Sequence, residues 1–199
     1  MQFGLDFPKG ATPWVKPFRG ISVKTLKHFE AFYTNTDEAL EDRIVFPIRD
    51  ILGRIQVFCA RHVLSDGNPR YLNYPRHTQL PLFPAKVEDT TVQSIILVEG
   101  IFDMINLYDK GLTNVVCTFG TNPLMKDTKD KLIPYKIQGI SKVFILYDPD
   151  QAGKKAAKEL KPLIEAAEFE VEIIDLPDGI DPGDLDQENV TAIKAYVQN

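Results

Sequence analysis

The 199-residue chain is poor in cysteine, with two, and carries one tryptophan and three histidines. Cys59 and Cys117 lie far apart inside apolar runs (QVFCA and VVCTF), and no CxxC occurs. That spacing gives no ligand set for zinc, and buried reduced thiols are expected. There is no run of 18 apolar residues, which argues against a membrane-spanning helix. The opening MQFGLDFPKGATPW lacks the basic-then-apolar pattern of a secretion signal, so a cytoplasmic location is expected. Nor is the composition that of a disordered chain, since 44% of residues are hydrophobic and 26% charged. The length suits one domain of ordinary size, or two small ones sharing a core.

Net negative charge, −5 in all, argues superficially against a nucleic-acid partner, but its distribution carries more information. Residues 1–42 hold five Lys and Arg against six Asp and Glu. Residues 43–86 hold seven against two, and residues 87–199 hold eleven against twenty. Six of the seven arginines (Arg43, Arg49, Arg54, Arg61, Arg70 and Arg76) fall in the middle block. Guanidinium groups favour planar, bidentate contact with phosphate. A basic module thus precedes an acidic one, an arrangement suited to holding a polyanion with one part and cations with the other.

Residues 1–20 read as an irregular, Pro- and Gly-containing lead-in. SVKTLKHFEAFY, from Ser22 to Tyr33, places Val23, Leu26, Phe29 and Phe32 or Tyr33 at helical spacing with Ser22 as N-cap. RIVFPIRDILGRIQVFCAR predicts strands near 44–48 and 54–60 around a DILGR turn, with Pro47 making the first an edge or bulged strand. Residues 61–90 read as a long, arginine-rich connection. Beyond residue 91 the pattern changes. Apolar runs at 95–98, 114–119, 142–147 and 170–176 alternate with helical segments after 99 and near 123–136, 152–168 and 188–198. Such alternation predicts a parallel sheet covered on both faces, with the ligand site beyond the carboxyl ends of the strands.

The strand ends are unusual. The first reads VEGIFD, giving Glu99 with Asp103 one turn on. The second reads TFGT, the third YDPDQAG with Asp148 and Asp150, and the fourth DLPDGIDPGD with Asp181 and Asp184. Alone, a DxD or a DPGD is ordinary turn and cap chemistry. Carboxylates from three strands on one rim repel one another unless cations bind there. All-oxygen donors suit Mg²⁺ or Mn²⁺, two or more ions, rather than zinc. In an extended DxD both side chains leave the same face, so they can share one ion or hold two. Glu99 is a further ligand or a general acid or base. Gly100, Gly120 and Gly153 leave room for a phosphate to approach the backbone. Lys154 and Lys155 either meet that phosphate or face water.

EGIFD, FGT, DPDQAGKKAA and LPDGIDPGD, in that order, resemble the topoisomerase–primase (TOPRIM) domain. RIVFPIRDILGRIQVFCAR followed by NPRYLNYP resembles the segment that precedes this domain in the catalytic core of bacterial-type DNA primases, and RGISVKTLKHFEAFY resembles that core's lead-in. The resemblance covers about residues 19–199. It implies an α/β fold with an α+β lead-in: a smaller basic mixed subdomain over 1–90, then a TOPRIM domain over 91–199 with a parallel central sheet flanked by helices.

Carried over position by position, Glu99, Asp103, Asp148, Asp150, Asp181 and Asp184 fall on the family's acidic metal cluster, with Glu99, Asp148 and Asp150 as catalytic residues. The family often has its last carboxylate directly after the proline, where this chain has Gly183. Arg61, Arg70 and Asn73 fall on the ridge used for template or nucleotide, and Arg70 replaces the usual lysine. Arg43, Lys86 and Lys154 complete the candidate nucleotide and DNA contacts. The resemblance further implies a single-stranded DNA template, NTP substrates, a replicative helicase and a separate zinc-ribbon or initiation factor as partners, and no membrane. Without a zinc ribbon, the chain is expected to be a stand-alone or trimmed catalytic core, as in phage systems acting in the host cytoplasm, or a fragment of a primase–helicase. A TOPRIM nuclease and a non-catalytic accessory protein are the alternatives.

Overall fold

The computed structural model describes residues 4–198. The chain divides into two compact units, the first ending at Pro81 and the second beginning at Leu82.

The first unit is built on a five-stranded antiparallel meander in the order β1-β2-β3-β4-β5. Its elements are β1 (Thr12–Pro13), α1 (Val23–His28), β2 (Phe32–Tyr33), β3 (Arg43–Arg49), β4 (Ile55–His62) and β5 (Tyr71–Tyr74). Ser22 caps α1 by accepting from the Thr25 amide, as its residue type predicts. The helix is shorter than the apolar spacing implied. It ends at His28, Glu30 takes a left-handed φ of 54°, and Phe32–Tyr33 continues as strand. Pro47 lies in β3, which is internal to the sheet, yet β2 pairs with it only at Val45. At Pro47 the ladder partner is Phe58 of β4, and a bulge follows between Ile48 and Arg49. The missing amide is therefore tolerated where the strand is locally an edge. The arginine-rich connection also contains a strand, β5, paired antiparallel with β4. Phe32, Leu40, Val45, Ile55, Phe58, Ala60 and Leu72 form one apolar core beneath this sheet.

The second unit contains β6 (Ser94–Val98), α2 (Ile101–Asp109), β7 (Val115–Cys117), α3 (Asn122–Met125), α4 (Thr128–Ile137), β8 (Lys142–Ile145), α5 (Gln151–Glu165), β9 (Glu170–Ile173), a 3₁₀ turn (Pro182–Asp184) and α6 (Gln187–Val197). The four strands are parallel in the order β7-β6-β8-β9. Burial of all of β6 and of Val143–Ile145 in β8 follows from cover on both faces. Ile95, Leu97, Val143 and Ile145 face Leu132 and Tyr135 of α4 and Leu160 and Ile164 of α5. On the other face, Phe144 meets Tyr196 of α6, and Ser94 donates to the Val197 carbonyl. The helix expected near 123–136 is two helices, because Asp127 adopts a left-handed φ of 61° between them. Residues 82–88 join this unit: Phe83 bridges to Cys117, Tyr135 donates to the Pro84 carbonyl, and Val87 enters the core.

β6 and β8 are adjacent, but the chain leaves β6 toward β7 and leaves β8 toward β9. Connections that depart in opposite directions open a crevice at the carboxyl ends of those two strands. Glu99 and Asp148 stand at that point.

Candidate metal and nucleotide site

Glu99 follows β6 directly, and its main chain is fixed by the neighbouring strand end. The Glu99 carbonyl accepts from the Gly120 amide at 2.9 Å, while the Cys117 thiol lies 3.4 Å away. The turn that allows this uses left-handed φ values at Phe119 and Gly120, 57° and 98°. The FGT end thus shapes the rim and supplies no charge. Thr118 Oγ1, buried, lies 3.1 Å from the Val98 carbonyl and 3.2 Å from the Tyr147 hydroxyl, tying the end of β6 to the residue before Asp148.

The two aspartates of the DxD separate in role. β8 ends at Ile145, so neither lies on an extended strand, and the expectation of two side chains leaving one strand face is not met. Asp150 is the N-cap of α5, its carboxylate accepting from the Gly153 amide at 2.7 Å. Asp148 is half-buried, and its Oδ1 has no hydrogen-bond partner among the described residues. Glu99 Oε1 is in the same condition. Asp103 sits in the first turn of α2, and Asp181 and Asp184 flank Pro182–Gly183 in the 3₁₀ turn.

These carboxylates share one field. Burial, and then the charge of Asp148, push Glu99 up to about 7, with Asp150 and Asp103 adding to the effect. Burial and the charges of Asp148, Asp181 and Asp184 raise Asp103 to about 6. Asp148 is raised by burial and by Asp181 and Asp150. Glu99, Asp103 and Asp148 thus each feel the charge of other acids among the six. Glycines allow the approach: a Cβ on Gly153 would lie 2.3 Å from the Asp148 carbonyl oxygen and 2.9 Å from Glu99 Oε1. One on Gly183 would lie 2.6 Å from Asp103 Oδ1.

Orphaned carboxylate oxygens, mutual repulsion and an all-oxygen donor set fit a hard divalent cation. Among the described residues, no three Asp, Glu, His or Cys side chains already converge at ligating distance. Mg²⁺ keeps several waters and takes one or two carboxylates plus substrate phosphates, so paired donors on an open rim suffice.

Beside the acids runs an open cleft of about 990 Å³ along the start of α5, lined by Asp148, Asp150, Lys154, Lys158, Asp178 and Asp181 among others. Lys154 faces this cleft but is paired with Asp178 at 2.5 Å. Lys155 reaches toward Glu159 at 3.7 Å along its own helix.

In the first unit, Arg61 is buried on β4, its guanidinium 4.8 Å over the ring of Tyr71 on β5. Burial is the main cause of its lowered pKa, and the nearby charges of Arg19 and Arg70 act in the same direction. Arg70 is exposed at the start of β5, and Asn73 is half-buried opposite Cys59. Arg43 is buried and donates to the Pro69 carbonyl at 2.8 Å, so it anchors the loop that presents Arg70. Arg49 is bound bidentately by Glu30, and Arg54 donates to a single oxygen, Oδ2, of Asp50. Lys86 is exposed in the second unit. Arg19 and Tyr71 were not singled out from the sequence, although both lie in segments that carry the family resemblance. For Tyr147 and Thr118 no local pattern gave a signal.

A parallel sheet with a Glu-Gly end on one central strand and a DxD beyond the next defines a TOPRIM domain, and residues 96–186 match the Toprim-like family. The chain belongs with the catalytic cores of the DNA primases. It is 37% identical to the DNA primase of Aquifex aeolicus over 160 residues, covering 73% of this chain and 30% of that protein. It is 32% identical to the DNA primase of Pseudomonas aeruginosa over a 202-residue alignment, covering 92% and 29%. The solved Aquifex aeolicus primase, comprising zinc-binding and RNA polymerase domains, superposes with a TM-score of 0.71 at 28% identity, over 90% of this chain and 53% of that one. The primase fragment of the bacteriophage T7 primase-helicase protein shares the fold, with a TM-score of 0.73 at 20% identity over 98% and 78%. The chain spans less than a third of the length of these curated relatives.

Proposed function

We propose that this chain is the catalytic core of a primase that makes short RNA primers on single-stranded DNA by nucleotidyl transfer from NTPs. The observation that carries the proposal is that Glu99 Oε1 and Asp148 Oδ1, at the switch point, are buried and have no hydrogen-bond partner among the described residues, in the field of neighbouring carboxylates. Glu99, Asp148 and Asp150 would be the principal holders of two or more Mg²⁺ or Mn²⁺ ions, with Asp103, Asp181 and Asp184 completing the cluster. Cations bound there supply Lewis-acid activation of a 3′-hydroxyl and neutralise charge on the departing pyrophosphate. The chain's own part is placement. Asp150 fixes the first turn of α5 and so the angle at which Asp148 meets Glu99. Lys154 would exchange its pairing with Asp178 for a nucleotide phosphate in the adjoining cleft.

Residues 1–90 are proposed as a basic subdomain for template and nucleotide, and residues 91–199 as the TOPRIM domain. Arg70 and Asn73 would contact backbone or base edges, Arg43 and Arg61, which the structure buries, would support them from behind, and Lys86 is a further phosphate contact. Recruitment by a replicative helicase, help from a separate zinc-ribbon or initiation factor, and a cytoplasmic site of action, the host's for a phage protein, belong to the same proposal. Among the described residues no helix is long and apolar enough to cross a membrane.

The test is synthesis by the purified chain from labelled NTPs on assorted single-stranded templates with Mg²⁺ or Mn²⁺. Oligoribonucleotides that disappear in Glu99→Ala and Asp148→Ala support the proposal. Shortened template without synthesis points to a nuclease, and no chemistry even with the cognate helicase points to an accessory role; either outcome overturns it.

A further inference from the structure

Lys110 stands outside every motif that marks the site, as the C-cap residue of α2. Its ammonium donates to two main-chain carbonyls of the loop after β9, Gly183 at 3.2 Å and Leu185 at 2.5 Å. Those residues bracket Asp184 and follow Asp181 closely. A cation at a helix C-terminus is favourably placed by the helix dipole, and here it also satisfies carbonyls of a second segment. The loop runs against α2 so closely that Gly183 has no space for a Cβ beside Asp103. Gln187, at the start of α6, donates to the Lys110 carbonyl at 3.0 Å, and Lys194 of α6 donates to that of Gly111 at 3.0 Å. The end of α2 is thus the point to which the whole segment from Asp181 to α6 is tied.

We infer that Lys110 is a positioning residue, a clamp that sets Asp181 and Asp184 against Asp103 and thereby tunes the affinity of the rim for divalent cations. Asp103 is held within α2 and Glu99 directly after β6, but Asp181 and Asp184 are held only by a three-residue turn and its N-cap. A turn that short keeps its place only through its neighbours. Lys110 supplies two of those contacts without touching cation or nucleotide itself, and Gly183 supplies the clearance that lets them form. The inference rests on the proposal that this rim holds divalent cations.

The experiment compares the wild-type chain with Lys110→Met, which keeps the aliphatic stem, Lys110→Arg, which keeps a donor, and Gly183→Ala, which attacks the same contact from the other side. Two quantities are measured. One is Mn²⁺ affinity by calorimetry, without nucleotide. The other is amide hydrogen exchange at Asp184, whose N–H is bonded to the Asp181 carbonyl. Loss of an outer support of this kind weakens metal binding by roughly 10- to 100-fold. Lys110→Met and Gly183→Ala are expected to show that loss together with faster exchange at Asp184, and Lys110→Arg to recover part of both. Unchanged affinity in Lys110→Met, or unchanged exchange, overturns the clamp. Failure of the wild-type chain itself to bind Mn²⁺ overturns the metal proposal instead, and in that case faster exchange at Asp184 in Lys110→Met still establishes Lys110 as the loop's anchor.

Discussion

Gly153 of α5 approaches Glu99 so closely that a Cβ at that position would stand 2.9 Å from Oε1. The helix carrying Gly153 and the strand end carrying Glu99 are therefore in register only because the glycine has no side chain. A helical Gly→Ala change ordinarily stabilises by about 1 kcal/mol. Here the new methyl would also meet the Asp148 carbonyl oxygen at 2.3 Å, which is backbone and cannot swing aside. Gly153→Ala should lower the melting temperature despite its better propensity and abolish primer synthesis. Calorimetry and the primer assay check both.

Asp148 and Asp150 should respond to mutation with opposite signs. Asp150 caps α5, so Asp150→Ala is expected to cost about 1 kcal/mol of stability. Asp148 is crowded by Asp181 and Asp150 and caps nothing, so Asp148→Asn should raise the melting temperature of the metal-free protein. Both variants should lose Mg²⁺-dependent synthesis. Parallel thermal melts in a chelator separate the two roles.

The metal-free protein should lose stability as pH rises. Glu99 and Asp103 stand at about 7 and about 6, above their ordinary values of 4.5 and 3.8. A carboxyl raised in the folded state binds its proton more tightly there than in the unfolded chain. Its contribution is complete below the unfolded pKa and disappears as pH climbs through the folded one. The slope should be negative from about pH 4 to about 7. Mg²⁺ should offset it, raising the melting temperature more at pH 8 than at pH 5.5. A melt series with and without Mg²⁺ decides the matter, and an equal shift at both pH values would count against the carboxylates.

Arg70 is exposed, whereas Arg61 is buried against Tyr71. Arg70→Ala should leave the free energy of unfolding within about 0.5 kcal/mol of wild type. It should also flatten the salt dependence of single-strand binding by about 0.7 for the phosphate contact removed. Arg61→Ala should reduce stability as well, by removing a buried cation packed over the ring of Tyr71. Fluorescence anisotropy across a salt series, beside denaturant melts, tests both.

The strand–helix alternation after residue 91 was readable because buried parallel strands are continuous apolar runs with turn residues at each end. The candidate acids were readable for the same reason: Glu99 and Asp148 follow the last apolar residues closely. Other features depend on partners remote in sequence. Lys154 meets Asp178, Arg43 meets Pro69, and Lys110 meets Gly183, and no local pattern announces any of them. The division of labour within the DxD was also hidden, because ending β8 at Ile145 turns Asp150 into a cap. Strand β5 was obscured by its brevity and by the prolines at 69 and 75, although NPRYLNYP was visible as a resemblance.

Those prolines have a consequence for the antiparallel sheet as a surface. Its outermost strands are Thr12–Pro13, two residues long, and Tyr71–Tyr74, four residues bounded by Pro69 and Pro75 with Arg70 at its entry. Long, flat outer strands recruit strands from other molecules and seed aggregates. Here both borders are short, proline-marked and, at β5, charged. The basic unit can expose tyrosines and arginines to a polyanion while offering little template for a foreign strand.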